Sequence, residues 1–184
     1  MKTSCTVTTG QHPSDLIKVR PGDVFASSLP GVFGWMIRLG QKVQSADSEA
    51  SYSHTGIILD SAGKTYEALW TVRSQNLFEA YRNNNVLIAR YKGMDSPAFN
   101  RGYKIVKTQE GKIYPAWRLF LHALNIGKIH IANRQVCSEL TALFLIMAGA
   151  QTLGGRNCYG ITPDELVDEW RISKYFSIVY EGII

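Results

Sequence analysis

Two residues of this chain, Cys137 and His54, have the types and settings that covalent catalysis requires. Cys137 is followed by Ser-Glu and a long apolar run, a pattern that predicts a buried helix beginning at the cysteine. A thiol at a helix N-terminus lies at the positive end of the helix dipole, which favours the thiolate. His54 lies in the segment 52–59, which predicts a buried strand. An imidazole on a strand next to the helix could take the thiol proton, so the pair predicts a cysteine nucleophile with its base.

An imidazole that acts as a base also needs a partner on its second nitrogen. Glu67 is the candidate, because it is a carboxylate in an otherwise apolar strand that follows the His54 strand. In the simplest hairpin, closed by the four-residue connection 61–64, Glu67 lies opposite Ile58 and Thr71 lies opposite His54. Chemistry therefore favours Glu67 as the third member, whereas register favours Thr71.

Two groups are candidates for stabilising a developing oxyanion. The backbone N–H of Cys137, at the predicted helix start, has no acceptor within the helix and is free to donate to an oxyanion. Tyr52 lies two residues before His54, on the same face of the predicted strand, and is the second candidate. A packing role in the core is the alternative for Tyr52.

Hydrophobic patterning and turn residues predict an α+β fold, an antiparallel sheet with helices packed against it. A Pro-Gly turn leads into the first strand, Ser96-Pro97 predicts an N-cap with proline at N1, and Thr162 to Glu165 form a capping box. We predict residues 1–18 as an N-terminal arm and 19–184 as one domain. The predicted strands lie near 24–26, 53–60, 65–72, 86–91 and 176–180, and the predicted helices near 32–43, 76–82, 96–109, 114–124, 137–149 and 163–170.

Length, composition and net charge indicate a folded domain of ordinary solubility. A chain of 184 residues with 45% apolar and 19% charged residues is typical of a folded domain. Its net charge of +5 is ordinary for solubility, with a weak preference for an anionic polymer or a membrane surface as the alternative, and it predicts no specific nucleic-acid partner. The N-terminus lacks the apolar segment of a secretory signal, and no window is apolar enough to span a membrane, so we predict a cytoplasmic protein. Export by a route that needs no such signal is the alternative.

The three cysteines are Cys5, Cys137 and Cys158. Their odd number and wide spacing predict no disulfide framework and no structural metal site, and nothing in the chain predicts a cofactor. Cys5 and Cys158 lack the predicted helix terminus and the candidate base of Cys137 and are predicted to be incidental thiols.

Taken in order, these motifs resemble the circularly permuted branch of the NlpC superfamily of papain-like cysteine peptidases and amidases. The permuted order has the histidine strand before the cysteine helix, as here. The resemblance implies a papain-like fold with Cys137 as nucleophile, His54 as base and Glu67 as the polar third member. The chain departs from the pattern at Val136, where many relatives have tyrosine or tryptophan, and segment 92–135 matches no motif. The matching segments are Pro21-Gly22-Asp23-Val24-Phe25, Ser53-His54-Thr55-Gly56-Ile57-Ile58-Leu59, Tyr66-Glu67-Ala68, Val136-Cys137-Ser138-Glu139-Leu140 and Ile161-Thr162-Pro163-Asp164-Glu165-Leu166.

The residues and the resemblance together predict a cysteine hydrolase. It would cleave an amide bond, in a peptidoglycan-type peptide or a related small amide, through a cysteinyl acyl-enzyme. An acyl-hydrolase or acyltransferase acting on lipids or esters would use the same Cys-His pair and is the first alternative. A non-catalytic binding module on the same fold is the second.

Overall fold

The computed structural model describes residues 16–28, 51–68, 71–110, 137–151, 158 and 160–184. These residues form six strands and four helices. The strands are β1 (Val24–Ser27), β2 (His54–Ile58), β3 (Thr65–Ala68), β4 (Val72–Arg73), β5 (Asn85–Tyr91) and β6 (Phe176–Ile183). The helices are α1 (Leu77–Ala80), α2 (Ser96–Lys107), α3 (Cys137–Met147) and α4 (Pro163–Ile172). None of the helices in this described part of the chain has the length and apolar character needed to cross a membrane.

All six strands belong to one sheet, in the order β4-β3-β2-β1-β5-β6. Every pairing within it is antiparallel. The predicted α+β class and the antiparallel sheet are therefore confirmed. The central strands β2, β1 and β5 are buried along most of their length, and the buried positions include the polar residues Ser27, His54 and Thr55.

The sheet is covered on both faces, because successive side chains of a strand point in opposite directions. One face packs on α2, α3 and α4, whose buried side chains include Leu140, Phe144 and Trp170. The other face packs on α1 through Leu77 and Phe78, together with Ile17. Ile17, which belongs to the predicted arm, is thus part of this core; residues 1–15 lie outside the described part.

The Pro-Gly-Asp turn before β1 forms hydrogen bonds with two other strands, β2 and β5. Gly22 has a φ of 88°, a conformation that L side chains rarely adopt, and its N–H donates to the Ile58 carbonyl at 2.8 Å. The Asp23 carboxylate accepts from Nε and Nη2 of Arg90 on β5, both at 2.8 Å. The motif thus fixes where β1 starts relative to β2 and β5.

The β2–β3 hairpin differs from the predicted register by two residues. The Leu59 N–H donates to the Lys64 carbonyl at 2.7 Å, so the connection is 60–63 rather than 61–64. The Asp60 side chain accepts from the Lys64 N–H at 3.0 Å and Gly63 has a φ of 84°, a turn geometry that the sequence pattern alone did not specify. As a result Ile57 pairs with Tyr66, which places Glu67 opposite residue 56 instead of Ile58.

Other element predictions are confirmed with corrected boundaries. The predicted strand 65–72 is two strands, because β4 pairs antiparallel with β3. Helix α2 is capped by Asp95, whose side chain accepts from the Ala98 N–H, and not by Ser96. The capping box at the start of α4 is present as predicted. The predicted helices 32–43 and 114–124 lie outside the described residues.

Candidate active site

His54, the first residue of β2, is buried with 1% of its surface exposed. Two aromatic rings lie beside its imidazole ring. Phe25 approaches it edge-on, with centroids 6.1 Å apart, and the Tyr81 ring lies nearly parallel to it at 6.0 Å. Phe25 and Tyr81 also contact each other, with centroids 5.2 Å apart. These contacts restrict how the imidazole can turn.

The Glu67 carboxylate holds one nitrogen of the imidazole. His54 Nε2 and Glu67 Oε2 are 2.7 Å apart, and both side chains are fully buried. The same oxygen accepts from the Tyr81 hydroxyl, and Oε1 accepts from Thr65 Oγ1 at 2.6 Å. The predicted contact between Glu67 and His54 is therefore confirmed, and the carboxylate has three donors rather than one.

Glu67 reaches His54 because of the strand register and because residue 56 is a glycine. Glu67 lies opposite Gly56, so it is offset from His54 by two residues on the same face of the sheet. A Cβ on Gly56 would come within 2.5 Å of the Phe25 ring and 3.1 Å of Glu67 Cβ. Glycine is thus required sterically at 56. Thr71, the alternative third member by register, is exposed on the chain between β3 and β4 and does not take this role.

Cys137 is the first residue of α3, as predicted, and its thiol and the His54 imidazole are close enough for each to shift the pKa of the other. Since Glu67 occupies Nε2, the nitrogen left for the sulfur is Nδ1. The backbone N–H groups of Thr55 and Ser138 also lower the pKa of the thiol. β2 pairs with β3 only at residues 57 and 58, so the Thr55 N–H is not used in that pairing. The role of the Cys137 N–H as an oxyanion donor stays a prediction.

The site favours a charged thiolate–imidazolium pair. Burial raises the pKa of the Cys137 thiol, but the imidazolium and hydrogen bonds from His54 and the backbone outweigh it and hold that pKa below its usual range. Burial lowers the pKa of His54, and the thiolate and the Glu67 carboxylate more than reverse this. Burial likewise raises the pKa of the Glu67 carboxyl, and hydrogen bonds from His54, Thr65 and Tyr81 with the imidazolium charge lower it overall. Each group is therefore stabilised in its charged form by the next.

The residues after Cys137 anchor the start of α3. Ser138 Oγ donates to the Ile161 carbonyl at 2.6 Å, and the buried Glu139 carboxylate accepts from the Gly160 N–H at 2.8 Å. One turn further along, Thr141 Oγ1 donates to the Cys137 carbonyl at 3.0 Å. The Cys-Ser-Glu motif thus ties the helix start to the segment that enters α4, which fixes the position of the thiol.

Tyr52 does not support its predicted oxyanion role. Its phenol hydroxyl donates to Glu181 Oε1 at 3.2 Å and accepts from Asn85 Nδ2 at 3.5 Å. Burial and the Glu181 charge raise the pKa of Tyr52, so the phenol keeps its proton. Its single hydrogen is therefore engaged away from the thiol, and Tyr52 connects the chain before β2 to β5 and β6.

Three site residues were missed by sequence reasoning: Tyr81, Thr65 and Gly56. Tyr81 follows a four-residue helix and is fourteen positions from Glu67, so no local pattern indicates their contact. Thr65 is two residues before Glu67 on the same strand face, and that spacing could have indicated it.

The environment of Cys158 differs from that of Cys137. Cys158 is a free, buried thiol, and burial and the nearby Glu139 charge raise its pKa, the opposite of Cys137. Within the described residues no group of three or more His, Cys, Asp or Glu side chains is placed to hold a metal ion.

Comparison with known proteins finds a similarity in fold. No family model matches the chain, and no curated protein matches it. The crystal structure of the metalloprotein yiiX from Escherichia coli O157:H7 (DUF1105) matches with a TM-score of 0.61 and 16% sequence identity. The match covers 91% of this chain and 99% of that one. At this identity the similarity establishes a shared overall fold. The word metalloprotein in its name describes that protein.

Proposed function

We propose that this chain is a cysteine hydrolase that cleaves amide bonds through a cysteinyl acyl-enzyme. One observation carries the proposal: in a buried site, the His54 imidazole is hydrogen-bonded to the Glu67 carboxylate and lowers the pKa of a thiol at a helix N-terminus. Burying three ionisable groups is unfavourable unless they stabilise one another, and this arrangement serves nucleophilic catalysis. A binding module would not need a thiol whose pKa is held low.

The residues divide the chemistry as follows. The Cys137 thiolate attacks the amide carbonyl carbon, and the N–H at the start of α3 donates to the resulting oxyanion. The His54 imidazolium gives its Nδ1 proton to the leaving nitrogen as the C–N bond breaks, so an amine leaves and a thioester forms. His54 then takes a proton from water, which attacks the thioester and releases the carboxylic acid and the thiolate. Glu67 remains ionised and keeps the imidazole oriented.

We also propose that the fold is papain-like with the permuted NlpC-type order. The support is the antiparallel sheet, the cysteine at the start of a buried helix, and a histidine on a strand that precedes this helix in the chain. The proposed substrate class, peptidoglycan-type peptides or related small amides, rests on that resemblance.

Turnover of a defined substrate panel tests the proposal. The purified chain is incubated with peptidoglycan stem peptides and, separately, with short- and long-chain acyl esters, and products are identified by mass spectrometry. We expect an amine and a carboxylic acid from a peptide, with a transient acyl adduct on Cys137. Cys137→Ala should abolish both, and Cys158→Ala is the matched control that should keep them.

Two results would contradict the proposal. If the protein hydrolysed esters but no amide, the result would favour the alternative function, an acyl-hydrolase or acyltransferase acting on lipids or esters. Peptide binding with no turnover and no adduct at Cys137 would favour a binding module.

A further inference from the structure

Tyr81 is a buried residue that contacts two members of the site at once. Its hydroxyl donates to Glu67 Oε2, and its ring lies nearly parallel to the His54 ring. Burial and the Glu67 charge raise the pKa of Tyr81, so the hydroxyl is a permanent donor. Gln75 Nε2 donates to the Tyr81 oxygen at 3.4 Å, which directs the phenol hydrogen toward the carboxylate.

We propose that Tyr81 is a positioning residue of this site: it fixes the ionised Glu67 carboxylate by its hydroxyl and the His54 imidazole by its ring. Neither effect requires contact with substrate. The inference rests on the proposed function insofar as it assigns the network a catalytic purpose, while the positioning itself can be measured without any substrate.

The geometry gives each of the two carboxylate oxygens its own neutral donor. Thr65 holds Oε1, and Tyr81 holds Oε2, which it shares with His54 Nε2. With both oxygens held, the carboxylate cannot rotate away from the imidazole. Without the Tyr81 hydroxyl, His54 would be the only donor on Oε2, and the carboxylate would be stabilised in its ionised form less strongly.

The charged groups around Glu67 do not provide a substitute for this hydroxyl. The His54 imidazolium faces Glu67 from β2, and the Cys137 thiolate lies beyond it at the start of α3. Arg73, the register partner of Glu67 on β4, is exposed to solvent. Charge from His54 and hydrogen bonds from Thr65 and Tyr81 therefore account for the ionised state of Glu67.

The test compares Tyr81→Phe with Tyr66→Phe. Both substitutions remove one hydroxyl from a fully buried tyrosine, but the Tyr66 hydroxyl donates to the Val106 carbonyl at 3.4 Å, outside the site. Glutamate is labelled with ¹³C at the carboxyl carbon, and the Glu67 signal is assigned by its loss in Glu67→Gln. Carboxyl titration is followed by NMR, and the pH dependence of Cys137 alkylation by iodoacetamide is measured on the same proteins.

We expect Tyr81→Phe to raise the titration midpoint of Glu67 by about one pH unit, since one hydrogen bond to a charged group is lost. Alkylation of Cys137 near pH 6 should slow several-fold, and Tyr66→Phe should change neither quantity. An unchanged Glu67 midpoint in Tyr81→Phe would overturn the inference, and so would equal effects of the two variants. Thr65→Val, which removes the donor on the other oxygen, should shift the midpoint in the same direction.

The outcome is separable from that of the proposed function. If no amide substrate is turned over by the unsubstituted protein, the proposed function fails, but the Glu67 midpoint still decides the role of Tyr81. If turnover occurs and Tyr81→Phe leaves the midpoint unchanged, the hydrolase proposal stands and the positioning role falls.

Discussion

Replacement of Glu67 distinguishes the charge of the carboxylate from its hydrogen bonds. Glu67→Gln keeps the shape and removes the charge, whereas Glu67→Ala removes both. In Glu67→Gln the amide oxygen can take the Oε2 position and accept from His54 and Tyr81. The amide nitrogen then faces Thr65 Oγ1, which can turn its own hydrogen to the Gln75 carbonyl 3.1 Å away. His54, Tyr81 and Thr65 therefore each keep an acceptor.

The two Glu67 substitutions should lower the free energy of unfolding by different amounts. Glu67→Ala leaves the His54 N–H and the Tyr81 hydroxyl without an acceptor, while Thr65 keeps the Gln75 carbonyl. An unpaired buried donor costs about 1–3 kcal/mol, so the free energy of unfolding should fall by about 2–6 kcal/mol. The lower end applies where water enters the emptied space. Glu67→Gln exchanges charged for neutral hydrogen bonds and should cost about 1–2 kcal/mol.

Urea unfolding and thiol alkylation measure the two effects separately. Unfolding midpoints report stability, and the second-order rate of iodoacetamide with Cys137 near neutral pH reports the thiolate. The rate should fall about tenfold in Glu67→Gln and about a hundredfold in Glu67→Ala. Glu79, an exposed glutamate on α1, provides the matched controls Glu79→Gln and Glu79→Ala, which should leave both quantities unchanged.

The pH dependence of stability has a definite sign at Glu67. Its pKa is lower in the folded protein than in the unfolded chain, so its contribution to stability is present above the unfolded pKa and is lost as pH falls through the folded one. Glu67→Gln should therefore flatten the acid side of the stability profile. Equal stability and equal alkylation rates for Glu67→Gln and Glu67→Ala would refute the hydrogen-bond accounting, and unchanged rates in both would refute any role of Glu67 at the thiol.

The remaining predictions use the same assays. Iodoacetamide at neutral pH should modify Cys137 faster than Cys158, because the thiol pKa is lowered at the first and raised at the second; peptide mapping that found the reverse order would count against a reactive Cys137. In the unsubstituted protein the alkylation rate should change little between about pH 6 and 8, since the imidazolium keeps the thiolate charged, whereas in His54→Ala it should rise with pH as for an ordinary thiol. A pH profile shared by both proteins would remove His54 as the partner. Gly56→Ala should lower the free energy of unfolding by about 1–3 kcal/mol through overpacking and also slow alkylation, while Gly182→Ala, which meets the Tyr180 hydroxyl at 3.0 Å on a strand away from the thiol, should cost less stability and leave alkylation unchanged.

Local sequence patterns determined the elements that carry the reactive pair. The helix that begins at Cys137, the strand that contains His54 and the capping box at Thr162 were predicted because each depends on residues within one or two turns of itself. Their order in the chain also indicated the resemblance on which the proposed substrate class depends.

Tertiary structure decided how the third member reaches the imidazole. The hairpin closes one residue earlier on each strand than predicted, because Asp60 and Gly63 form the turn, and this moves Glu67 two positions toward His54. Gly56 then leaves room for the contact. Turn geometry of this kind depends on side-chain hydrogen bonds that hydrophobic periodicity does not report.

The surroundings of the carboxylate were decided by packing between distant segments. Tyr81 reaches Glu67 only because α1 packs on the sheet face that carries His54, and Tyr52 is held by Glu181 only because β6 extends past its predicted end. Such contacts join residues far apart in the chain, and a single sequence contains no periodic signal for them. The sequence alone therefore determined which residues could react, and the three-dimensional packing determined which groups hold them in their charged states.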